Sequence, residues 1–333
     1  MPHITIVRTF DWHRPMLDPL VAPLGRMADV ETTTAAAFLE HGADRSTDIV
    51  VVADAGIVAR LRSVADRPLY VHVGHGLISK RQTEYYYRDA DFICLAGRET
   101  ERRLTERGHL PRRGFWVTGM VQADPLFRDG EGGAIRRVAG ARRSVLYAPT
   151  WNATLSSAEM LGAQLVESIR GADASIGIII KPHPHIPVAH PHLIERWRRL
   201  AEDNSGVELA EAGDDLVPFL KSADLMVSDA SSAIFHYLAL NRPIVLIDNP
   251  ARFTDPGVFD PEGIEWTWRD MADRVEAVDG LAGVVRAALD RPDRLAARRL
   301  HYRQTLYGDH ADGRAVERIV AHVGALLEGR AAA

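Results

Sequence analysis

The chain has a single cysteine, Cys94, among 333 residues. An intramolecular disulfide framework is therefore excluded, and the composition fits a reducing compartment. Cys94 lies in the apolar run Phe92–Leu95, which reads as a strand, so its thiol is expected to be buried and inert. No stretch approaches the roughly 20 apolar residues of a membrane span, and the start of the chain lacks a basic-then-apolar secretion signal. These absences imply a cytoplasmic protein, or one held only at the inner face of the cell membrane. Positive charge is not in excess: 40 Lys and Arg against 45 Asp and Glu leave −5. That removes any global reason to expect a nucleic-acid partner. Known site motifs are missing too. There is no G-x-G-x-x-G, G-x-x-x-x-G-K-[ST], C-x-x-C, H-E-x-x-H or G-x-S-x-G, which argues against a dinucleotide oxidoreductase, a P-loop ATPase, the common zinc hydrolases and an α/β-hydrolase. No cofactor is implied, and no protein metal site is evident.

What remains is an ordinary globular composition, 46% apolar and 26% charged. Strand-like apolar runs alternate with helix-like stretches along the whole chain. In the first half the strands read 3–8, 48–53, 69–73, 91–95 and 115–117, with helices such as 57–64 and 98–107. In the second half they read 144–147, 177–181, 207–209, 224–227 and 244–247, with helices at 158–169, 193–202, 214–221 and 232–240. Such alternation means crossover units and parallel sheets. Two sets predict two Rossmann-like doubly wound α/β domains facing each other across a cleft, joined by the Gly-rich polar stretch 128–143. The expected boundaries are 1–135, 143–312 and a closing helix over 313–330, where Val316, Ile319, Val320, Val323, Leu326 and Leu327 recur at helical spacing.

The richest stretch is 224–247. An apolar run ends in Ser228-Asp229-Ala230-Ser231-Ser232, followed by a helical pattern and a second apolar run. Ser231 and Ser232 fall at the start of that helix, where free N–H groups favour an anion. One such residue suffices for a helix cap; four hydroxyl or carboxylate groups in five positions favour a phosphate site. A second candidate is Lys181-Pro182-His183-Pro184-His185 after another strand. The prolines keep this turn extended. Its imidazoles and ammonium suit a phosphate or diphosphate, and no partner pair at metal-ligand spacing accompanies them.

Three further turns follow strands. Gly74-His75-Gly76 clears space around His75, which could take a proton from an attacking hydroxyl or simply face solvent in a tight turn. His72 reads as a packed strand residue. Tyr147-Ala148-Pro149-Thr150-Trp151-Asn152 offers hydrogen bonds from Thr150 and Asn152 and a flat face from Trp151; a packed loop reads equally well. Gly119 to Asp124 could bring Asp124 to the cleft. The arginine clusters at 136–137, 142–143 and 196–199 read as solvated faces, with a peripheral membrane contact as the minority reading.

Taken in this order, these motifs resemble the CDP-glycerol glycerophosphotransferase family of teichoic-acid and capsule polymer enzymes. The matching segments are Gly74-His75-Gly76 with Lys80, Gly119 with Asp124, Tyr147 to Trp151, Lys181 to His185, Ser228 to Ser232, and Asp312-Gly313-Arg314. The resemblance implies a GT-B architecture and transfer of glycerol phosphate, or a related alditol phosphate, from a CDP-linked donor to a saccharide or lipid-linked hydroxyl acceptor, releasing CMP. It implies that His75 is the base and that His183 acts on the transferred phosphoryl group. Thr150, Lys181, His183, His185, Ser228, Asp229, Ser231 and Ser232 would hold the donor, with Lys80 and Asp124 on the acceptor side. Many members carry Trp-His-Gly-Thr-Pro-Leu-Lys at the first motif, where this chain has Gly-His-Gly-Leu-Ile-Ser-Lys, so a different acceptor side is expected. In a chain this short, single addition is expected rather than polymerisation. Alternatives are a GT-B glycosyltransferase using a nucleotide sugar and a nucleotide-sugar 2-epimerase, which usually has Ser-Asp-Ser-Gly-Gly in place of Ser-Asp-Ala-Ser-Ser. A non-catalytic nucleotide-binding module is the reading from outside the enzymes.

Overall fold

The computed structural model describes residues 1–42, 47–74, 85–128, 138–171 and 173–329. The chain divides into two compact units: Met1–Asp129 with Gln304–Ala333, and Gly130–Arg303. Residues 304–312, assigned from the sequence to the second domain, thus fall with the first unit.

The first unit is built on β1 (His3–Arg8), β2 (Asp29–Thr34), β3 (Thr47–Val52), β4 (Leu69–His72), β5 (Phe92–Leu95) and β6 (Gly114–Val117), in the order β2-β1-β3-β4-β5-β6. Every neighbouring pair is parallel. Side chains alternate between the faces of a strand. Ile4, Ile6, Ile49 and Val51 pack on one face with the helices Arg14–Leu24 and Ala315–Leu327. Val7, Val50 and Val52 pack on the other with helices Ala35–His41 and Val58–Val64. Burial on both faces is why these strands read as unbroken apolar runs. Cys94 is buried, and burial pushes its thiol up to about 12. His72 is buried as well, its Nε2 3.1 Å from the Ala53 carbonyl.

The second unit carries β7 (Arg143–Tyr147), β8 (Ile176–Ile180), β9 (Val207–Leu209), β10 (Leu225–Ser228), β11 (Ile244–Ile247) and β12 (Asp273–Val275), in the order β12-β11-β10-β7-β8-β9, again all parallel. Val145, Ile178, Leu225 and Val245 meet the helices Leu165–Arg170, Pro191–Asp203 and Leu281–Asp290 on one face.

The sequence reading missed two strands, β2 and β12. Both lie at sheet edges and are polar: Asp29-Val-Glu-Thr-Thr-Thr is largely exposed, so it has no apolar run to betray it. The helix expected over 158–169 is interrupted, with Ala158–Leu161 and Leu165–Arg170 separated by a tighter turn. The helix expected over 232–240 is α-helical only over Ala233–Tyr237 and then tightens.

The last helix, Ala315–Leu327, packs into the first unit, with Ala315, Ile319 and Val323 fully buried. Asp124 caps it: its carboxylate accepts from the Ala315 N–H at 3.0 Å and the Val316 N–H at 3.2 Å. Arg318 in turn donates to the Thr118 carbonyl at 3.1 Å and to Asp312 at 2.9 Å. His322 stacks on Trp116 at 4.7 Å. Two glycines allow this close fit. Gly119, at φ +87°, lies against the His310 carbonyl. Gly313, at φ +73°, would place a Cβ 2.9 Å from the Asp124 carbonyl oxygen. Both are left-handed positions that disfavour side chains.

Asp124, expected on the acceptor side, is therefore occupied as a helix cap. Burial raises its carboxyl from 3.8 to about 6, against the pull of the Ala315 and Val316 N–H groups and Arg128; Asp312 pushes it further up. The folded state then holds the proton more tightly than the unfolded state. Stability from this group is full below the unfolded value and is lost as pH rises through about 6. Asn at position 124 cannot titrate. The stability difference between Asp124→Asn and the unaltered protein should move in the variant's favour between about pH 4 and pH 7, by up to about 3 kcal/mol. Denaturant unfolding across that range checks it; a pH-independent difference would rule the titration out.

Candidate functional site

In the second unit the chain runs from β7 outward to β8 and β9, then returns to lay β10, β11 and β12 on the other side. The strand order therefore reverses between β7 and β10. In parallel sheets, ligands bind outside the carboxyl ends of the strands at such a reversal. The three turns singled out in the sequence leave β7, β8 and β10 at that edge, so the fold brings Thr150, Lys181 to His185 and Ser228 to Ser232 onto neighbouring strands.

Within these turns the side chains divide into braces and exposed groups. Asp229 is fully buried. Its carboxylate accepts from the N–H of Thr150 at 2.8 Å, of Ser157 at 2.8 Å and of Ala230 at 2.7 Å, and from the Ser157 hydroxyl at 2.9 Å. Burial pushes its pKa up, and the Ser157 and Thr150 hydrogen bonds pull it down. With four donors already on two oxygens, Asp229 ties the turn after β10 to the turn after β7 and stands behind the site. Ser228 does the same, its hydroxyl donating to the Ala148 carbonyl at 2.6 Å.

Lys181 is buried and turned sideways. Its Nζ donates to the carbonyls of Ala212 at 2.9 Å and Pro182 at 3.1 Å. Burial lowers its pKa to about 8, opposed by Asp214, Asp215 and Glu211. It pins the turn after β9 to the turn after β8. Thr150 and Ser231 are also buried, and the Ser231 hydroxyl accepts from the Ala233 N–H at 3.3 Å.

Ser232, His183 and His185 are only half-buried. His183 Nδ1 accepts from the His185 N–H at 3.2 Å. An accepting Nδ1 leaves the proton of the neutral ring on Nε2, which is then a hydrogen-bond donor. The two imidazole rings lie 5.2 Å apart, and Trp151 stands edge-on to His185 at 5.4 Å. Trp151 keeps 39% of its surface exposed, and its carbonyl meets His190 Nε2 at 2.9 Å. The exposed face thus offers imidazole and hydroxyl donors beside an aromatic ring, a set suited to anionic oxygens.

Further braces escaped the sequence reading. Arg269 is buried and donates to the Asp229 carbonyl at 3.0 Å and to the Asp248 carboxylate at 2.5 Å. Asp248 also takes Arg274 at 2.9 Å. The Asn249 amide donates to the Ser156 carbonyl at 2.7 Å. The available signal was Asp248-Asn249 directly after the apolar run Ile244–Ile247, the same arrangement as Asp229 after β10. His236, next to the serine turn, is buried; burial lowers its pKa to about 4 and keeps it neutral. His75 and Lys80 lie outside the described residues. Among the described residues, no group of three or more His, Cys, Asp or Glu could hold a metal ion.

The family model of CDP-glycerol:poly(glycerophosphate) glycerophosphotransferase matches residues 70–324. The chain belongs to that family. The match takes in all three turns and most of the capped last helix, and leaves 1–69 and 325–333 outside it. No curated protein shows significant sequence similarity to the chain. Among solved structures, the wall teichoic acid polymerase TagF is similar at a TM-score of 0.69 and 14% identity, covering 98% of this chain and 90% of that one. Staphylococcus aureus MnaA with UDP gives 0.64 and 16%, covering 98% and 97%. A putative UDP-N-acetylglucosamine 2-epimerase from Listeria monocytogenes gives 0.66 and 15%, covering 99% and 98%. At such identities the likeness is one of fold, the GT-B type of two doubly wound α/β units. Among the described residues no helix is long and apolar enough to cross a membrane.

Proposed function

We propose that this family member transfers glycerol phosphate, or a related alditol phosphate, from a CDP-linked donor to a hydroxyl acceptor, at the cytoplasmic face of the membrane in cell-wall or capsule polymer synthesis. The acceptor oxygen forms a bond to the phosphorus bearing the alditol, the anhydride bond to CMP breaks, and the hydroxyl proton passes to His75. CMP leaves with the bond's electron pair. No covalent enzyme intermediate is required, so positioning and charge stabilisation supply the rate enhancement.

One observation carries this reading: the side chains of His183, His185 and Ser232 are gathered at the carboxyl ends of β8 and β10, on either side of β7, in a member of this family. A diphosphate loses its hydration shell on binding, and these donors replace it. Asp229, Ser228, Lys181 and Arg269 hold the donors in place without touching the ligand.

Thermal shift with CDP-glycerol, CDP-ribitol, CMP and UDP-N-acetylglucosamine tests the donor class, because a ligand of the folded state raises the midpoint by mass action. Stabilisation by the CDP-alditols, and more weakly by CMP, is expected. Stabilisation by the UDP-sugar alone would overturn the reading in favour of a sugar-nucleotide enzyme. His183→Ala should weaken CDP-glycerol binding about 10- to 100-fold, the worth of one hydrogen bond to a charged group. Ser232→Ala should weaken it several-fold. Calorimetric titration reads both, and unchanged affinity in His183→Ala would remove that residue from the donor site.

A further inference from the structure

The turn leaving β11 stands next to the serine turn, since β11 pairs with β10 and their carboxyl ends share one edge of the sheet. Neighbouring strands lie about 5 Å apart. Asn249 opens this turn and ties it to the braces described above. Its amide donates to the Ser156 carbonyl at 2.7 Å, and the next residue, Ser157, bonds Asp229 behind the serine turn. The Asn249 carbonyl accepts from Arg252 Nη1 at 2.9 Å. Arg252 is half-buried, and aromatic rings fix its plane. Its guanidinium lies 4.3 Å from the centre of the Phe253 ring and 5.8 Å from that of Trp266. Phe253, although 62% exposed, is held by Phe259 at 5.0 Å, and Phe259 meets Trp266 at 5.0 Å. Rings occupy the faces of a guanidinium and leave its N–H edge to oxygen. That edge makes one bond, to the Asn249 carbonyl, and among the described residues no carboxylate pairs with Arg252.

The other positive charges around these turns are already matched. Lys181 is buried and turned to two carbonyls. Arg269 and Arg274 share the Asp248 carboxylate. Burial keeps His236 neutral. Ser232, His183 and His185 bring a hydroxyl and two imidazoles, and none of these is a permanent charge. A nucleoside diphosphate ester carries a negative charge on each phosphoryl group, and removing those charges from water is costly unless a cation meets them. The hydrogen bonds of the site as described leave that charge unbalanced. Arg252 stands on the adjacent strand end with a rigid, unmatched guanidinium whose fork fits phosphoryl oxygens.

We propose that Arg252 is a donor-binding residue whose guanidinium pairs with the diphosphate oxygens, an inference that rests on the transferase reading above. The histidine and serine turns hold the diphosphate by hydrogen bonds, and Arg252 neutralises it. Phe253 and Trp266 are positioning residues that keep the guanidinium in plane.

The test is calorimetric titration of the full chain with CDP-glycerol, CDP and sn-glycerol 3-phosphate, each at low and high salt. Arg252→Gln should weaken CDP-glycerol and CDP about 10- to 100-fold, the worth of a hydrogen bond to a charged group. Arg252→Lys keeps the charge without the fork and should lose less. Affinity for CDP-glycerol should fall with salt in the unaltered protein and in Arg252→Lys, and less steeply in Arg252→Gln. The unfolding midpoint without ligand should be the same in all three, which a purely structural role would not allow. Unchanged CDP-glycerol affinity in Arg252→Gln would overturn the proposal, as would a loss that left the salt dependence intact. Binding of glycerol 3-phosphate that needed Arg252, with CDP unaffected, would also overturn it and assign the guanidinium to an acceptor phosphate. A protein that bound neither CDP nor CDP-glycerol would defeat the transferase reading. UDP then puts the same question to Arg252: binding that is independent of this residue, or the absence of any diphosphate binding, would defeat the proposal as well.

Discussion

Asp229→Ala should lower the stability of the protein by about 3–5 kcal/mol and abolish measurable binding of CDP-glycerol. The substitution strips the acceptor from three backbone N–H groups and one hydroxyl, all in a region with no access to water. A buried donor left without its partner costs about 1–3 kcal/mol, and partial relaxation keeps the sum below the simple total. The same bonds join the turns after β7 and β10, so the serine turn loses its register against the turn after β7. Asp229→Asn keeps the shape and one accepting oxygen and should fall between. Denaturant unfolding and calorimetric titration of each variant read the two effects. A destabilised Asp229→Ala protein that bound CDP-glycerol normally would show that the brace serves the fold but not the site.

His75→Ala should reduce turnover by about 10²- to 10⁴-fold, the usual worth of a general base, while CDP-glycerol affinity stays within about twofold. In the transfer proposed above, the proton of the acceptor hydroxyl leaves as its oxygen bonds to phosphorus, and the groups proposed to hold the donor's diphosphate, His183, His185 and Ser232, do not include His75. Single-turnover rates at saturating donor separate the two. A variant that lost donor binding and kept its turnover at saturation would show that His75 is not the base.

The two family motifs around Asp124 and Gly313 show a structural role that local sequence does not announce. Gly119 to Asp124 and Asp312 to Arg314 were legible as signatures, and in the fold they meet: the first caps and cradles the helix that the second begins. They hold the last helix on the first sheet. Nothing in their local pattern separates a carboxylate aimed at a ligand from one aimed at a helix terminus.

The sequence alone determined the alternation of buried strands and amphipathic helices, because side chains on both faces of a parallel sheet must be apolar and that need is written in consecutive residues. It also determined which turns carry imidazoles, hydroxyls and carboxylates, and hence the family. Only the tertiary structure decided the strand order that gathers those turns at one edge, and the division of each turn into exposed donors and buried braces. Asp229 binds a residue 72 positions away and Asp124 one 191 away. The polar edge strands β2 and β12 likewise took their state from backbone pairing with a neighbour. Local pattern reports what a residue's chain neighbours require; burial and hydrogen-bond partners are set by segments that only folding brings together.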